Sequence, residues 1–396
     1  MASGGAAARL PGQGARRALP GVPGAAERGR AGLAHLAEPL AIFAAVRASL
    51  VVLAYSAMAT FPGPGYATRI WAFGGLLDAW ARWDAGWYLR IAEEGYKYDP
   101  AAPVSGVAFF PLYPLLIRAA APLVGSRIVA GLLVSNLALA AASCLLYSLV
   151  AARLGRPTAR RTLLLLSCFP YSLFLGAVYT EGLFLCLAVL AFWLAERRRW
   201  WLAGLAAGLC GATRLVGATL APALALLYLE QAGWRVRLRR DALALALAPA
   251  GLAAYMLYQY GAFGDPLAMV RSSTSWGRYN PFVDGLARLD PGRFGPGNYD
   301  LVLGLNLAAA LVWLLAAIPV GRLLGPAYGA FVLLAVLIPL SQQTDSLGRF
   351  MGVLFPVFVV AAHHVRARLA FNLLLAASSL GLSLMTILFA NGYWVM

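Results

Sequence analysis

Apolar residues run along this chain in long blocks, broken by short clusters rich in Arg, Gly and Pro. Eleven blocks are apolar enough to enter a bilayer: residues 39–60, 128–152, 162–178, 182–195, 200–213, 215–229, 242–261, 301–320, 326–340, 350–365 and 369–390. Several fall short of the roughly 20 residues that a perpendicular helix needs, so tilted, locally thinned or re-entrant helices are expected. The pattern predicts an all-α polytopic membrane protein with about eleven transmembrane helices.

Short basic clusters set the orientation, because positive loops stay cytoplasmic. Arg153, Arg156, Arg160 and Arg161 form one cluster and Arg197, Arg198 and Arg199 a second. Arg235, Arg237, Arg239 and Arg240 form a third, Arg366 and Arg368 a fourth. Two apolar blocks separate each of the first three clusters, so the junctions at Tyr179-Thr180-Glu181 and at Arg214 belong on the outer face. The segment 107–124 is apolar but carries Pro111, Pro114, Pro122 and Arg118. If it crossed, the first basic cluster would lie outside, so it is read as a juxtamembrane or re-entrant helix. Residues 61–127 then form one outer element and 263–300 a second, both within a single membrane domain over 38–396. This topology puts eleven of the sixteen acidic residues outside, leaving Glu27, Glu38, Glu196, Glu230 and Asp241 inside. Acidic residues have little influence on orientation, so the skew points independently to chemistry on the outer face.

Composition excludes a soluble protein: 61% of residues are hydrophobic, 12% are charged and the mean hydropathy is +0.72. A net charge of +16 would suggest nucleic acid in a soluble chain, but here the arginines sit in membrane loops, and no nucleic-acid partner is expected. Lys97 is the one lysine, and the Arg, Ala and Gly bias is that of a GC-rich bacterial source. Residues 1–37, rich in Ala, Gly, Pro and Arg, read as a disordered cytoplasmic tail of a plasma-membrane protein. Cys144, Cys168, Cys186 and Cys210 lie inside apolar blocks and read as small hydrophobes, not as disulfides or zinc ligands. No metal-ligand spacing and no phosphate-binding glycine loop is present, so neither a metal nor another cofactor is expected.

The chemistry-bearing residues lie in the outer segments. Trp80, Trp83, Trp87 and Ile91 recur at helical spacing, with Asp84 at the edge of the stripe and Tyr88 beside it. Two readings stay open on pattern alone: an aromatic belt with Asp84 as a helix cap, or a carboxylate held at headgroup level as a catalytic base. Glu181 and Arg214 each sit at the tip of a pair of apolar blocks, where they either pair with each other or meet a substrate. Arg118 reaches headgroups or a lipid phosphate, while Arg278 and Arg349 are loop arginines able to hold a phosphate. Arg47, inside the first block, has no visible partner, and His363 and His364 read as a solvated pair.

Several motifs then fall in order: Arg82-Trp83-Asp84, Trp87-Tyr88-Leu89-Arg90-Ile91-Ala92, Gly95-Tyr96 and Ala108-Phe109-Phe110-Pro111-Leu112-Tyr113-Pro114-Leu115. Pro170-Tyr171-Ser172-Leu173-Phe174, Tyr179-Thr180-Glu181-Gly182-Leu183-Phe184, Ala212-Thr213-Arg214, Gly264-Asp265-Pro266 with Trp276 and Arg278, and Ser346-Leu347-Gly348-Arg349-Phe350 follow. Together the series resembles the PIG-V-like family of mannosyltransferases, which add the second mannose in glycosylphosphatidylinositol anchor assembly, and its bacterial relatives. The resemblance implies a GT-C glycosyltransferase fold, a polyprenyl-phosphate sugar donor, usually mannose, and an essential Trp-Asp pair at Trp83 and Asp84. Phe350 departs from the Tyr common after the Arg, and the acceptor, whether lipid, glycan or protein, stays open.

The expected reaction is single displacement with inversion. Asp84 accepts the proton of an acceptor hydroxyl, and Arg214, Arg349 and Arg278, in that order of preference, stabilise the departing polyprenyl phosphate. Glu181 orients Arg214 or the sugar hydroxyls. A transporter or flippase of lipid-linked sugars is the rival class, favoured by inverted repeats, which are not seen in the sequence. A non-catalytic partner in glycan assembly is a third, for which Asp84 would be dispensable.

Overall fold

The computed structural model describes residues 25–61, 76–100, 105–235, 240–274, 299–341 and 346–395. The chain divides into two compact units, Met1–Ala37 and Glu38–Met396. Every regular element among the described residues is helical. The α-helices are α1 (Ala25–Thr60), α2 (Ala85–Glu94), α3 (Leu112–Val124), α4 (Arg127–Leu154), α5 (Arg156–Ser167), α6 (Glu181–Glu196), α7 (Trp200–Gly211) and α8 (Leu220–Gln231). They continue with α9 (Ala250–Phe263), α10 (Ala268–Thr274), α11 (Tyr299–Leu324), α12 (Pro326–Leu340), α13 (Leu347–Met351), α14 (Phe355–His364) and α15 (Arg368–Ala390). Helix begins at Ala25, inside the stretch expected to be a disordered tail, because Ala, Glu, Arg and Leu in 25–38 are strong helix formers.

Four described helical stretches are long and apolar enough to cross a membrane: Leu36–Thr60, Arg127–Leu154, Asn306–Leu324 and Arg368–Ala390. The 3-10 turn Arg240–Leu247 and α9 add a fifth if the pair, bent by 46°, is one span. The chain is thus a multi-pass membrane protein; of the remaining blocks, those at 182–195, 200–213 and 326–340 fall on the single shorter helices α6, α7 and α12, and the others are broken. The block at 162–178 breaks after Ser167 into a 3-10 turn at Ser172–Leu175, past Pro170, whose ring disfavours helix at the residue before it. The block at 215–229 opens as a 3-10 turn, Leu215–Thr219, before α8, and the block at 350–365 is divided between α13 and α14. Helix α3 has 13 residues, about 20 Å, too short to cross, as its prolines and Arg118 foretold.

Helices α4 and α6 run in the same direction, and their contacts mark the two ends of the unit Glu38–Met396. Ser126 caps α4, its hydroxyl accepting from the Val129 amide, and Gly155 ends it at φ 86°. Near the start of both helices Ser135 donates to the Tyr179 carbonyl at 3.0 Å, and at their far end Arg153 pairs with Glu196. Eighteen residues separate Ser135 from Arg153, about 27 Å along the axis and close to a hydrocarbon thickness. Glu38 joins Arg160 and Tyr147 at the same basic end. Helix α7 meets the bent pair through glycine: a Cβ on Gly251 would fall 1.8 Å from the Gly208 carbonyl oxygen, and one on Gly204 2.1 Å from that of Ala244. Gly204 and Gly208 thus form a small-residue face that lets two backbones touch.

Candidate functional site

At the end opposite the basic cluster, the chain between Leu76 and Glu94 turns down into the bundle. Tyr55 donates to the Leu76 carbonyl at 2.6 Å, and eight residues back on α1 the Arg47 guanidinium lies 5.3 Å from the Trp80 ring centre. Residues 76–80 therefore run down alongside α1, a five-residue 3-10 turn advancing about 8 Å. Trp80 is buried, so the expected surface stripe of Trp80, Trp83 and Trp87 does not exist. A 3-10 turn ends at Trp80, Trp83 takes a left-handed φ of 54°, and helix resumes only at Ala85. Such a backbone costs a non-glycine residue on the order of 1 kcal/mol and persists where surrounding contacts dictate it.

Asp84 occupies the N-cap position of α2, but its side chain makes no capping hydrogen bond. Its Oδ2 instead accepts from Arg349 Nη1 at 2.8 Å. Arg349 Nε lies 3.3 Å from Glu181 Oε1, within ion-pair range, and Arg214 Nη1 donates to the same oxygen at 2.6 Å. Four charges of alternating sign thus form one chain, Asp84, Arg349, Glu181, Arg214, with side chains 16, 8, 2 and 11% exposed. Glu181 Oε2 and Arg349 Nε are buried without a hydrogen-bond partner. Burial alone would disfavour the Arg349 charge, yet Asp84 and Glu181 outweigh burial and hold the guanidinium above its ordinary range.

Local sequence explains how each member is delivered. Glu181 opens α6, where the helix dipole favours an acid. Arg349 lies on the single turn α13, entered through Ser346 at φ 65°. Its neighbour Gly348 lies so close to Tyr171 that a Cβ would fall 2.2 Å from the ring, and its amide donates to Asn306 Oδ1 at 3.1 Å. Phe350 packs beneath the cations, its ring centre 4.4 Å from Arg214 Cζ and 5.4 Å from Arg349 Cζ. Tyr88 is buried beside the chain, its hydroxyl 3.5 Å from Thr180 Oγ1. Burial, then the Glu181 and Asp84 charges, push its pKa above the ordinary phenol range, so it stays neutral.

The structure thus brings together Asp84, Glu181, Arg214, Arg349 and Tyr88. Trp83 adjoins them but faces away, donating from Nε1 to the Tyr393 carbonyl at 3.2 Å. Arg118 is exposed and lines an apolar cavity of about 610 Å³ between α2, α3, α7 and the bent pair, with Tyr96, Pro114, Leu209 and Tyr258. Arg278 lies outside the described residues, as does Asp345. A polar cavity of about 390 Å³, lined by Trp87, Arg90, Glu94, Lys97 and Asp99, also lies against α2, and Ile91 and Gly95 line both cavities. Arg82 and Tyr179 were not foreseen as contributors: Tyr179 Oη donates to the Arg82 carbonyl at 2.9 Å, and its ring centre lies 5.3 Å from Arg349 Cζ. Tyr179 adjoins the acidic tip in the sequence, and that adjacency was the available signal.

Residues 53–229 match the family model described as mannosyltransferase (PIG-V). The chain is 35% identical over 154 residues to the GPI alpha-1,6-mannosyltransferase 2 of Cricetulus griseus and to that of Mus musculus, covering 36% of this chain and 30% of each relative. It therefore spans under a third of the length of these curated relatives. Among solved structures, the Archaeoglobus fulgidus oligosaccharyltransferase matches over 85% of this chain and 53% of its own, at 18% identity and a TM-score of 0.45.

Proposed function

We propose that this chain is an inverting membrane glycosyltransferase of GT-C type that transfers mannose from a polyprenyl-phosphate donor to an acceptor hydroxyl on the outer face of the plasma membrane. The observation that carries this reading is the alternating chain of Asp84, Arg349, Glu181 and Arg214. It places a carboxylate and two guanidiniums at one sunken site, which is what proton removal beside a departing phosphate requires. The match of residues 53–229 to mannosyltransferases adds the sugar and the transfer chemistry.

In this reaction the acceptor oxygen attacks the anomeric carbon from the face opposite the phosphate and gives its proton to Asp84. The C–O bond to the phosphate breaks, and its electron pair leaves on the polyprenyl phosphate. The donor phosphate competes with Asp84 for Arg349, freeing a carboxylate oxygen for the acceptor proton as the guanidinium turns toward the phosphate. Arg214 supplies the second positive charge, and Glu181 Oε2 accepts from a sugar hydroxyl. The polyprenyl chain follows the apolar cavity past Arg118, while the polar cavity beside Trp87 and Arg90 takes the acceptor. A phosphate leaves without protonation, so no general acid is needed. Purified protein incubated with labelled polyprenyl-phosphate mannose and membrane acceptors tests the reading. Transfer by wild type and its loss in Asp84→Asn support it, and equal transfer by both removes Asp84 from the mechanism.

A further inference from the structure

The corner that presents Asp84 is held from outside by the far end of the chain. Arg82 Nη2 donates to the Ala390 carbonyl at 3.1 Å, one of the last-turn carbonyls of α15 that helix geometry leaves without an internal partner. Trp83 Nε1 donates to the Tyr393 carbonyl at 3.2 Å, and the Trp83 and Trp394 rings meet edge to face at 4.9 Å. The chain beyond α15 turns back through Gly392 at φ 80°, and Asn391 and Val395 are buried. From the other side the Val178 amide donates to the Trp80 carbonyl at 2.9 Å and Tyr179 to that of Arg82. A left-handed tryptophan is retained where its surroundings over-determine it, and here Arg82 is gripped by the last turn of α15 and Trp83 by the segment after it.

We propose that residues 390–394 are a positioning clamp for Asp84: by gripping Arg82 and Trp83 they fix the left-handed corner that aims the carboxylate at Arg349. The clamp touches no reacting atom. It rests on the glycosyltransferase reading for its effect on rate, but not for its effect on the order of the corner. Trp394 lies at the surface, 46% exposed, so truncating it removes the ring contact without opening the core.

The test uses the full chain, with Trp394→Ala, Trp83→Phe, which keeps a ring but loses the N–H, and Arg82→Lys beside Arg82→Met. Hydrogen exchange of peptides covering residues 80–90 reads the corner without reference to activity. Faster exchange there in Trp394→Ala and Trp83→Phe, with residues 181–196 unchanged, is the expected result, and unchanged exchange at 80–90 overturns the clamp. In sugar transfer, kcat falls roughly 10- to 100-fold while KM for the donor stays near its wild-type value, as for a misplaced catalytic group. Arg82→Lys recovers part of what Arg82→Met loses. Loosened exchange with an undiminished kcat overturns the positioning role. Absence of transfer by wild type sinks the glycosyltransferase reading instead, and the exchange data still decide whether the clamp holds the corner.

Discussion

Arg349 donates to Asp84 at 2.8 Å across 265 positions of chain, in a site where both side chains are largely withdrawn from solvent. Among the described residues their ion pairs run to each other, to Glu181 and on to Arg214, so the four form one unit. Each substitution below disturbs that unit or its frame in a separable way.

Asp84→Asn keeps the shape of the side chain and removes its basicity. Sugar transfer falls about 10²- to 10⁴-fold, the range for loss of a general base, while donor affinity is retained or rises because Arg349 is released toward phosphate. A radiolabelled transfer assay together with donor binding to the purified variant checks both halves.

Arg349→Lys retains a positive charge but loses the planar fork that reaches Asp84 and Glu181 together. Transfer falls more steeply than in Arg214→Lys, because Arg349 alone contacts both acids. Comparing kcat of the two variants under saturating donor settles the order, and a larger loss at Arg214 reverses the roles assigned to them.

Glu181→Ala strands two guanidiniums around a buried position. Stability falls by about 3–5 kcal/mol, the range for breaking a buried ion pair from one side. Glu181→Gln, which retains an acceptor for both arginines, loses less. Thermal unfolding of the detergent-purified variants gives the ranking.

Gly251→Ala drives a methyl into the Gly208 carbonyl, which is backbone and cannot rotate aside. The variant loses about 1–3 kcal/mol or more, the range for overpacking, and accumulates poorly in membranes. Gly261→Ala, on the same helix with open space around its Cβ, is close to neutral by the same measurement.

Much of this arrangement was legible in the sequence. Charges among apolar blocks marked Glu181 and Arg214, and their pairing was one of two readings allowed. Hydropathy also located most of the apolar blocks, because it sums over windows and ignores backbone geometry. For the same reason it missed the breaks after Ser167 and between α13 and α14. The descent of residues 76–80 escaped detection because tryptophan spacing alone does not distinguish a surface stripe from one helix and two turns. Nothing in a tryptophan side chain announces a positive φ, so the corner at Trp83 was read as continuous helix. The Asp84–Arg349 pair was equally hidden, since each residue had a local explanation and their contact is made only by the fold.

The span between Asp84 and Arg349 also fixes an order of events during synthesis. At 5–20 residues per second, about 13 to 53 s separate the appearance of the carboxylate from that of its guanidinium, and the contacts of Arg82 and Trp83 with residues 390–394 come later still. The nascent chain must carry Asp84 past most of its own membrane insertion without the cation that will neutralise it. A ribosome-bound intermediate stalled before residue 349 will therefore hold residues 76–94 in a more hydrated setting than the finished protein does.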